Sequence, residues 1–233
     1  MNALHLLRRI KWNRAHGTRW SDMRYYGRWK RSLRPGANSM DERTAWITFP
    51  AIDRLKKLLK PTDRVFEYGG GGSTLFWLDR VAEVVTVEHD PQWYAALEER
   101  MGQEGGGRWT GIHMPATPGT LVPAPDPAEP AHYASADAAS QGFHFKDYVH
   151  AIDRFPDAHF DVLMIDGRAR TSCLAYAMPK IKRGGLLVLD NAERTYYTER
   201  NTGVLQGFDV VLAGMAPVIF NRDLSETRIL RKR

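Results

Sequence analysis

The stretch VFEYGGGGST at 65–74, followed by VVTVEHD at 84–90, constrains this chain more than any other feature. An apolar strand runs into a carboxylate, Glu67. Four glycines follow, Gly69 to Gly72, and then Ser73 and Thr74, which can open a helix. A second apolar strand ends in another carboxylate, Glu88. Strand, glycine turn, helix and second strand with an acid at its tip form half of a nucleotide-binding α/β unit. The glycines let the backbone take positive φ and approach a ligand closely. The same rhythm continues along the chain. Strands are expected at 64–68, 84–88, 109–114, 161–166 and 186–189. Helices are expected at 43–59, after Gly72, from Pro91, at 143–154 and at 171–182, the last ended by Arg183-Gly184-Gly185. Segments 210–213 and 228–230 fit a closing hairpin. This pattern predicts a Rossmann-like, doubly wound, mostly parallel sheet with a C-terminal antiparallel hairpin. Ligands of such sheets sit beyond the carboxyl ends of the strands, where Glu67, Glu88, Asp166 and Asp190 all fall.

Three cofactors compete for the glycine turn. A phosphate-cradling P-loop needs a Lys after its last Gly, and Ser73 stands there. A dinucleotide fingerprint needs Gly-x-Gly-x-x-Gly or Ala; from Gly69 the last position is Thr74, and from Gly70 it is Leu75. Glu67 favours the third, S-adenosylmethionine, because a carboxylate there suits a cationic amino group and sulfonium better than a pyrophosphate. The pattern Glu67, Gly69, Gly71, Ser73 resembles motif I of class I methyltransferases. On this reading Glu67, Gly69, Gly71, Ser73 and Glu88 bind the cofactor, with Glu88 accepting from the ribose hydroxyls.

The net charge of +6 is unevenly spread. Residues 1–34 hold ten Lys or Arg against one Asp, and the other 199 residues sum to −3. The same arm carries Trp12, Trp20, Tyr25, Tyr26 and Trp29. We read residues 1–40 as a basic, aromatic-rich arm and 41–233 as the α/β domain. The arm suits an anionic surface: lipid, acidic glycan or nucleic acid. Nucleic acid is the weakest of these, because no recognised reading module accompanies the patch. The alternative is an arm whose aromatics lie against the domain. The single Cys173 excludes an internal disulfide and a cysteine-based zinc site, and no apolar run reaches membrane-span length or resembles a signal peptide. These features fit a cytoplasmic protein, with a membrane surface as one docking place for the arm. Residues 115–142 contain six prolines and break the rhythm; such an insertion serves as a lid, a binding loop or a disordered segment.

DVLMIDGRAR ends the fourth strand with Asp166, and LLVLDN ends the fifth with Asp190 and Asn191. Two carboxylates and an amide oxygen on neighbouring strands suit Mg²⁺ or another hard divalent ion. The arrangement resembles the metal ligands of catechol, caffeoyl-CoA and sugar O-methyltransferases. The EYGGGGST, IDGRAR and LDNAERTYY segments also resemble an uncharacterised bacterial group of class I methyltransferases, over roughly residues 43–232. The resemblance implies methyl transfer to a hydroxyl oxygen of a glycan or small molecule, with Asp166 as base or metal ligand. The chain departs from the metal families at Ala169, where they often place a Lys base. His144 and His150 are further base candidates; Arg168 and Arg170 could meet an acidic substrate group; Tyr196 and Tyr197 could line an acceptor pocket. Cys173, in an apolar helix, is expected to be inert. Asn-Pro-Pro-Tyr, common in methyltransferases of base amino groups, is absent, which tilts the nucleophile toward oxygen. Two other classes stay open: a nicotinamide-dependent oxidoreductase on the same fold, and a non-catalytic protein that uses the basic arm on nucleic acid or membrane.

Overall fold

Alternating strand and helix segments come together around one sheet in the computed structural model, which describes residues 20–104 and 107–233. Seven strands contribute: β1 (Arg64–Tyr68), β2 (Glu83–Glu88), β3 (Trp109–His113), β6 (Phe160–Ile165), β7 (Ile181–Leu189), β8 (Phe208–Leu212) and β11 (Arg228–Lys232). Their order is β3-β2-β1-β6-β7-β11-β8. The first five run parallel; β11 is antiparallel to both β7 and β8. Short pairs lie outside it, β4 (Thr117–Pro118) with β5 (Phe143–His144) and β9 (Ala216–Pro217) with β10 (Leu224–Ser225). The sheet is therefore doubly wound and mostly parallel, with an antiparallel C-terminal edge, as expected. No helix among the described residues is long and apolar enough to cross a membrane.

Strand period fixes which side chains enter which layer. Phe66 and Tyr68 point into one apolar layer with Tyr148, Leu163 and Ile165. Val65, with Val162, Met164 and Val188, points into the other. Helix α1 (Tyr26–Ser32), α2 (Phe49–Leu58) and α3 (Gly72–Leu78) cover that second layer, and α3 is buried on all sides. Helix α4 (Pro91–Glu104) begins where Asp90 Oδ1 accepts the amides of Gln92 and Trp93, a side-chain N-cap with Pro at the first position.

Three expectations need correction. The helix expected at 171–182 is α6 (Arg170–Tyr176), and the chain is already in β7 by Ile181. Pro179 lacks the amide that a continuing helix needs. Gly184 and Gly185 do not stop a helix; they lie in β7, where the register against β6 slips between Phe160 and Val162. The helix expected at 143–154 is α5 (Lys146–His150) followed by a 3₁₀ turn.

The charge boundary near residue 40 is not a boundary of the core. Tyr25 stacks on Phe49 with ring centroids 5.6 Å apart, and Trp29 Nε1 donates to Asn221 O at 2.6 Å. Phe220 N–H donates to Ser32 Oγ at 3.1 Å. Residues 20–40 thus contribute Tyr25 and Trp29 to the second core layer, with Tyr26, Leu33 and Met40 packed against it. Trp12, with the rest of residues 1–19, and the side chain of Trp20 lie outside the described residues. The insertion at 115–142 is anchored too. Tyr133 is buried and stacks on Tyr176, and Ser172 Oγ donates to Pro130 O at 2.7 Å.

Candidate active site

The carboxyl ends of β1, β2 and β6 open into a cleft of about 550 Å³. Its walls include the glycines at 69–72, Ser73, Glu88, Trp93, Asp166 and Arg168. Two of the glycines are required by contact. Gly69 has φ +89°, and a Cβ there would stand 2.9 Å from Gly167 Cα, where the turns after β1 and β6 touch. A Cβ on Gly72 would stand 2.2 Å from Ser39 O, so the segment before α2 is pressed against the start of α3.

The loop's amides are largely used within the protein. Gly69 N–H donates to Val87 O (2.9 Å), Gly70 N–H to Glu88 Oε2 (3.0 Å) and Gly71 N–H to Thr74 Oγ1 (3.1 Å). A pyrophosphate would need those donors. Glu88 Oε1 accepts the amides of His89 and Asp90 at 2.7 and 2.9 Å. Burial alone would raise the pKa of Glu88. His89, whose Nδ1 lies 2.7 Å from Oε1, and the amides outweigh it and hold the carboxyl below its ordinary range. Oε2, with one donor, retains acceptor capacity for a ligand hydroxyl.

Glu67 is not in the cleft wall. Its side chain is fully buried beneath the loop and accepts from Thr74 Oγ1, Trp77 Nε1 (3.1 Å) and Thr86 Oγ1 (2.9 Å). The expected contact with a cofactor amino group is replaced by a supporting role: Glu67 holds Thr74, and Thr74 holds Gly71. Burial pushes its pKa up to about 7, against the pull of those donors. An ordinary glutamate, the reference for the unfolded chain, titrates near 4.5. Between these values the folded state holds more protons, so this contribution is complete below about pH 4.5 and is lost as pH rises through about 7. Glu67→Gln is expected to flatten the fall in stability across that window, by up to about 1.4 kcal/mol per pH unit. Urea unfolding of both proteins at a series of pH values checks it; parallel curves would show that Glu67 stays ionised.

Asp166, Asp190 and Asn191 do converge, but on a cation that the chain itself supplies. Arg170 Nη2 donates to Asp166 Oδ1 (2.9 Å) and Asp166 O (2.8 Å). Its Nη1 donates to Asp190 O (2.7 Å) and Asn191 Oδ1 (3.1 Å) and lies 3.8 Å from Asp190 Oδ2. Nε donates to Gly167 O at 3.0 Å. The guanidinium is thus engaged on every nitrogen by the three residues expected to hold a metal and by the strand-end carbonyls. Asp190 Oδ1 also accepts from Thr227 Oγ1 at 2.7 Å, and Asn191 Nδ2 donates to Ser225 Oγ at 2.9 Å. Among the described residues no group of three or more His, Cys, Asp or Glu could hold a metal. The donor set does not fit a divalent ion while Arg170 occupies it. Burial and then Asp190 push the pKa of Asp166 well above its ordinary value, with Arg170 opposing. Burial raises Asp190 too, against Arg170 and Thr227.

No family model matches the sequence, and a search of curated proteins returns no match. Solved structures do match. A Streptococcus mutans protein, provisionally described as a methyltransferase and solved in complex with SAH, aligns over 79% of this chain and 96% of its own, with TM-score 0.52 and 10% identity. A methyltransferase-like protein from Silicibacter pomeroyi aligns over 80% and 88%, with TM-score 0.51 and 19% identity. A Clostridium thermocellum protein, provisionally an rRNA methylase, aligns over 81% and 97%, with TM-score 0.53 and 16% identity. The chain has the class I methyltransferase fold.

On that methyltransferase fold the remaining sequence candidates separate. Arg168 and Arg170 both line the cleft. Arg168 Nε donates to His89 Nε2 (3.2 Å), and Nη1 pairs with Asp137 of the insertion (2.7 Å), so the insertion is tied to the cleft rim. His150 is engaged by Asp153 (2.7 Å) and Tyr133 (3.0 Å), and neither it nor His144 is in the cleft wall. Tyr196 and Tyr197 are not in the wall either; the Tyr197 ring lies 5.6 Å from the Arg170 guanidinium. Cys173 is buried, and burial pushes its thiol pKa up. Sequence reasoning missed Ser39, Trp46, His89, Asp90 and Trp93, all in the cleft wall. His89 and Asp90 follow Glu88 directly and could have been found by extending the strand-end rule; Ser39 and Trp46 carry no local signal.

Proposed function

We propose that this chain transfers a methyl group from S-adenosylmethionine to a hydroxyl oxygen of a small-molecule or glycan acceptor. The observation that carries the reading is one cleft at the carboxyl edge of the parallel strands, lined together by the glycine loop, Glu88 and Asp166. A loop whose amides are spent on Val87, Glu88 and Thr74 favours a cationic ligand over a pyrophosphate, which weighs against the nicotinamide alternative. When bound, S-adenosylmethionine supplies a methyl group already activated on a sulfonium. The protein then has to align the acceptor and take its proton. Asp166 is the base of this proposal. Its raised pKa makes the ionised form a stronger base than an ordinary carboxylate. Arg170 holds Asp166 through Oδ1 and counters its charge. Divalent metal has no step here, because Arg170 takes the oxygens it would need. The preference for oxygen rests on the absence of Asn-Pro-Pro-Tyr after β6, where the chain reads Asp166-Gly167-Arg168-Ala169.

Glu88→Ala is expected to weaken S-adenosylhomocysteine binding by about 1.5–3 kcal/mol, the range for a hydrogen bond to a charged group. Calorimetry measures this, with circular dichroism confirming that the variant is folded. Titration of the wild type with NAD runs alongside. Unchanged homocysteine-cofactor affinity in a folded Glu88→Ala protein, or tight NAD binding, would sink the assignment.

A further inference from the structure

Helix α3 gives Gly72 and Ser73 to the donor cleft and, one turn on, gives Phe76 to a second cleft of about 240 Å³. Arg28 and Arg31 of the basic arm, Arg43, Lys56 of α2 and Arg80 line this second cleft, with Glu42 as the one acid in its wall. Several of these charges are spoken for. Arg28 makes two bonds to Asp53, at 2.8 and 2.9 Å. Arg43 pairs with Asp79 and Glu104, and Glu42 is turned to Arg34 at 3.3 Å. Arg80 lies over the Phe76 ring at 4.1 Å and only 3.9 Å from Asp79.

Arg31 and Lys56 have no carboxylate partner among the described residues, and residues 1–19 and 105–106 contain no Asp or Glu. Lys56 is open to solvent at its surface, and partial desolvation in the cleft, then Arg80 and Arg28, push its ammonium toward losing its proton, against Asp53. The fold nonetheless holds these cations together, because α1, α2 and α3 are locked by the core beneath them. The cations line one concave pocket whose wall also includes Phe49 and Ile52. That layout suits one compact, multiply charged oxyanion, and guanidinium forks match phosphate oxygens.

We propose that this second cleft binds a phosphate group carried on a small molecule. The site lies outside the methyl-transfer machinery and joins the basic arm to the domain through a shared ligand. The experiment titrates the full chain with inorganic phosphate, pyrophosphate and glucose 1-phosphate at matched ionic strength, using calorimetry and thermal melting, with chloride as the reference. Saturable binding is expected, tighter for pyrophosphate than for phosphate. Arg31→Gln combined with Lys56→Gln should weaken it at least tenfold while leaving S-adenosylhomocysteine affinity unchanged. Both side chains are exposed, so the double variant should fold. Stabilisation no greater than with chloride would overturn the proposal, as would equal binding by the double variant. A single-stranded RNA that binds this face and is not displaced by pyrophosphate would overturn it in favour of a polyanion track.

Discussion

Arg170→Met should destabilise the protein by about 3–5 kcal/mol, the cost of leaving buried charge without its partner. The substitution keeps much of the side-chain volume and removes only the guanidinium. Asp166 and Asp190 would then face each other with Asn191 and no cation between them. One of the two would have to take a proton, and the carbonyls of Asp166, Gly167 and Asp190 would lose their donors together. A domain of this size has about 5–15 kcal/mol in total, so the loss would show plainly in urea unfolding. A second arm tests the idea of a built-in cation directly. Emptying the position with Arg170→Ala leaves three oxygen ligands, and the stability of that variant should rise with added Mg²⁺ while the wild type ignores it. Near-wild-type stability of Arg170→Met without metal would show that the guanidinium is not what holds the pair.

A chain starting at Met40 is expected not to fold cooperatively. It would lose Tyr25 and Trp29 from the second core layer, and removing one large buried aromatic side chain costs about 3–5 kcal/mol. It would also lose Ser39, whose carbonyl is seated against Gly72 at the mouth of the cleft. Thermal melting by circular dichroism and S-adenosylhomocysteine calorimetry on the truncated and full chains check this together. A truncated protein with a sharp transition and intact binding would mean that residues 20–39 are an appendage after all.

The sheet was legible because its signals are local. Apolar runs ending in Glu67, Glu88, Asp166 and Asp190 gave the strand ends to within a residue or two, and the glycine turn gave the crossover. The roles of those acids were not legible, because each depends on which partner reaches it first. Glu67 meets three donors from α3 and β2 before any ligand could. Asp166, Asp190 and Asn191 do come together, yet Arg170, four residues after Asp166, reaches back across the turn and fills the place between them where a metal was expected. An Arg at that spacing reads from sequence as a solvent-facing loop residue. The arm misled in a similar way. Its charge is real, but Tyr25 and Trp29 sit among the arginines and point inward, and composition averages cannot separate the two faces of a short helix.

The contact between Trp29 and Asn221 joins residues 192 positions apart, and Thr48 N–H donates to Thr227 Oγ1 across 179. One face of the domain is therefore closed jointly by the beginning and the end of the chain. During synthesis Tyr25 can meet Phe49 early, but Trp29 and Ser32 wait for their partners Asn221 and Phe220 until the end of the chain leaves the ribosome. Loop closure over such spans makes this face the slow part of folding and leaves apolar surface uncovered meanwhile.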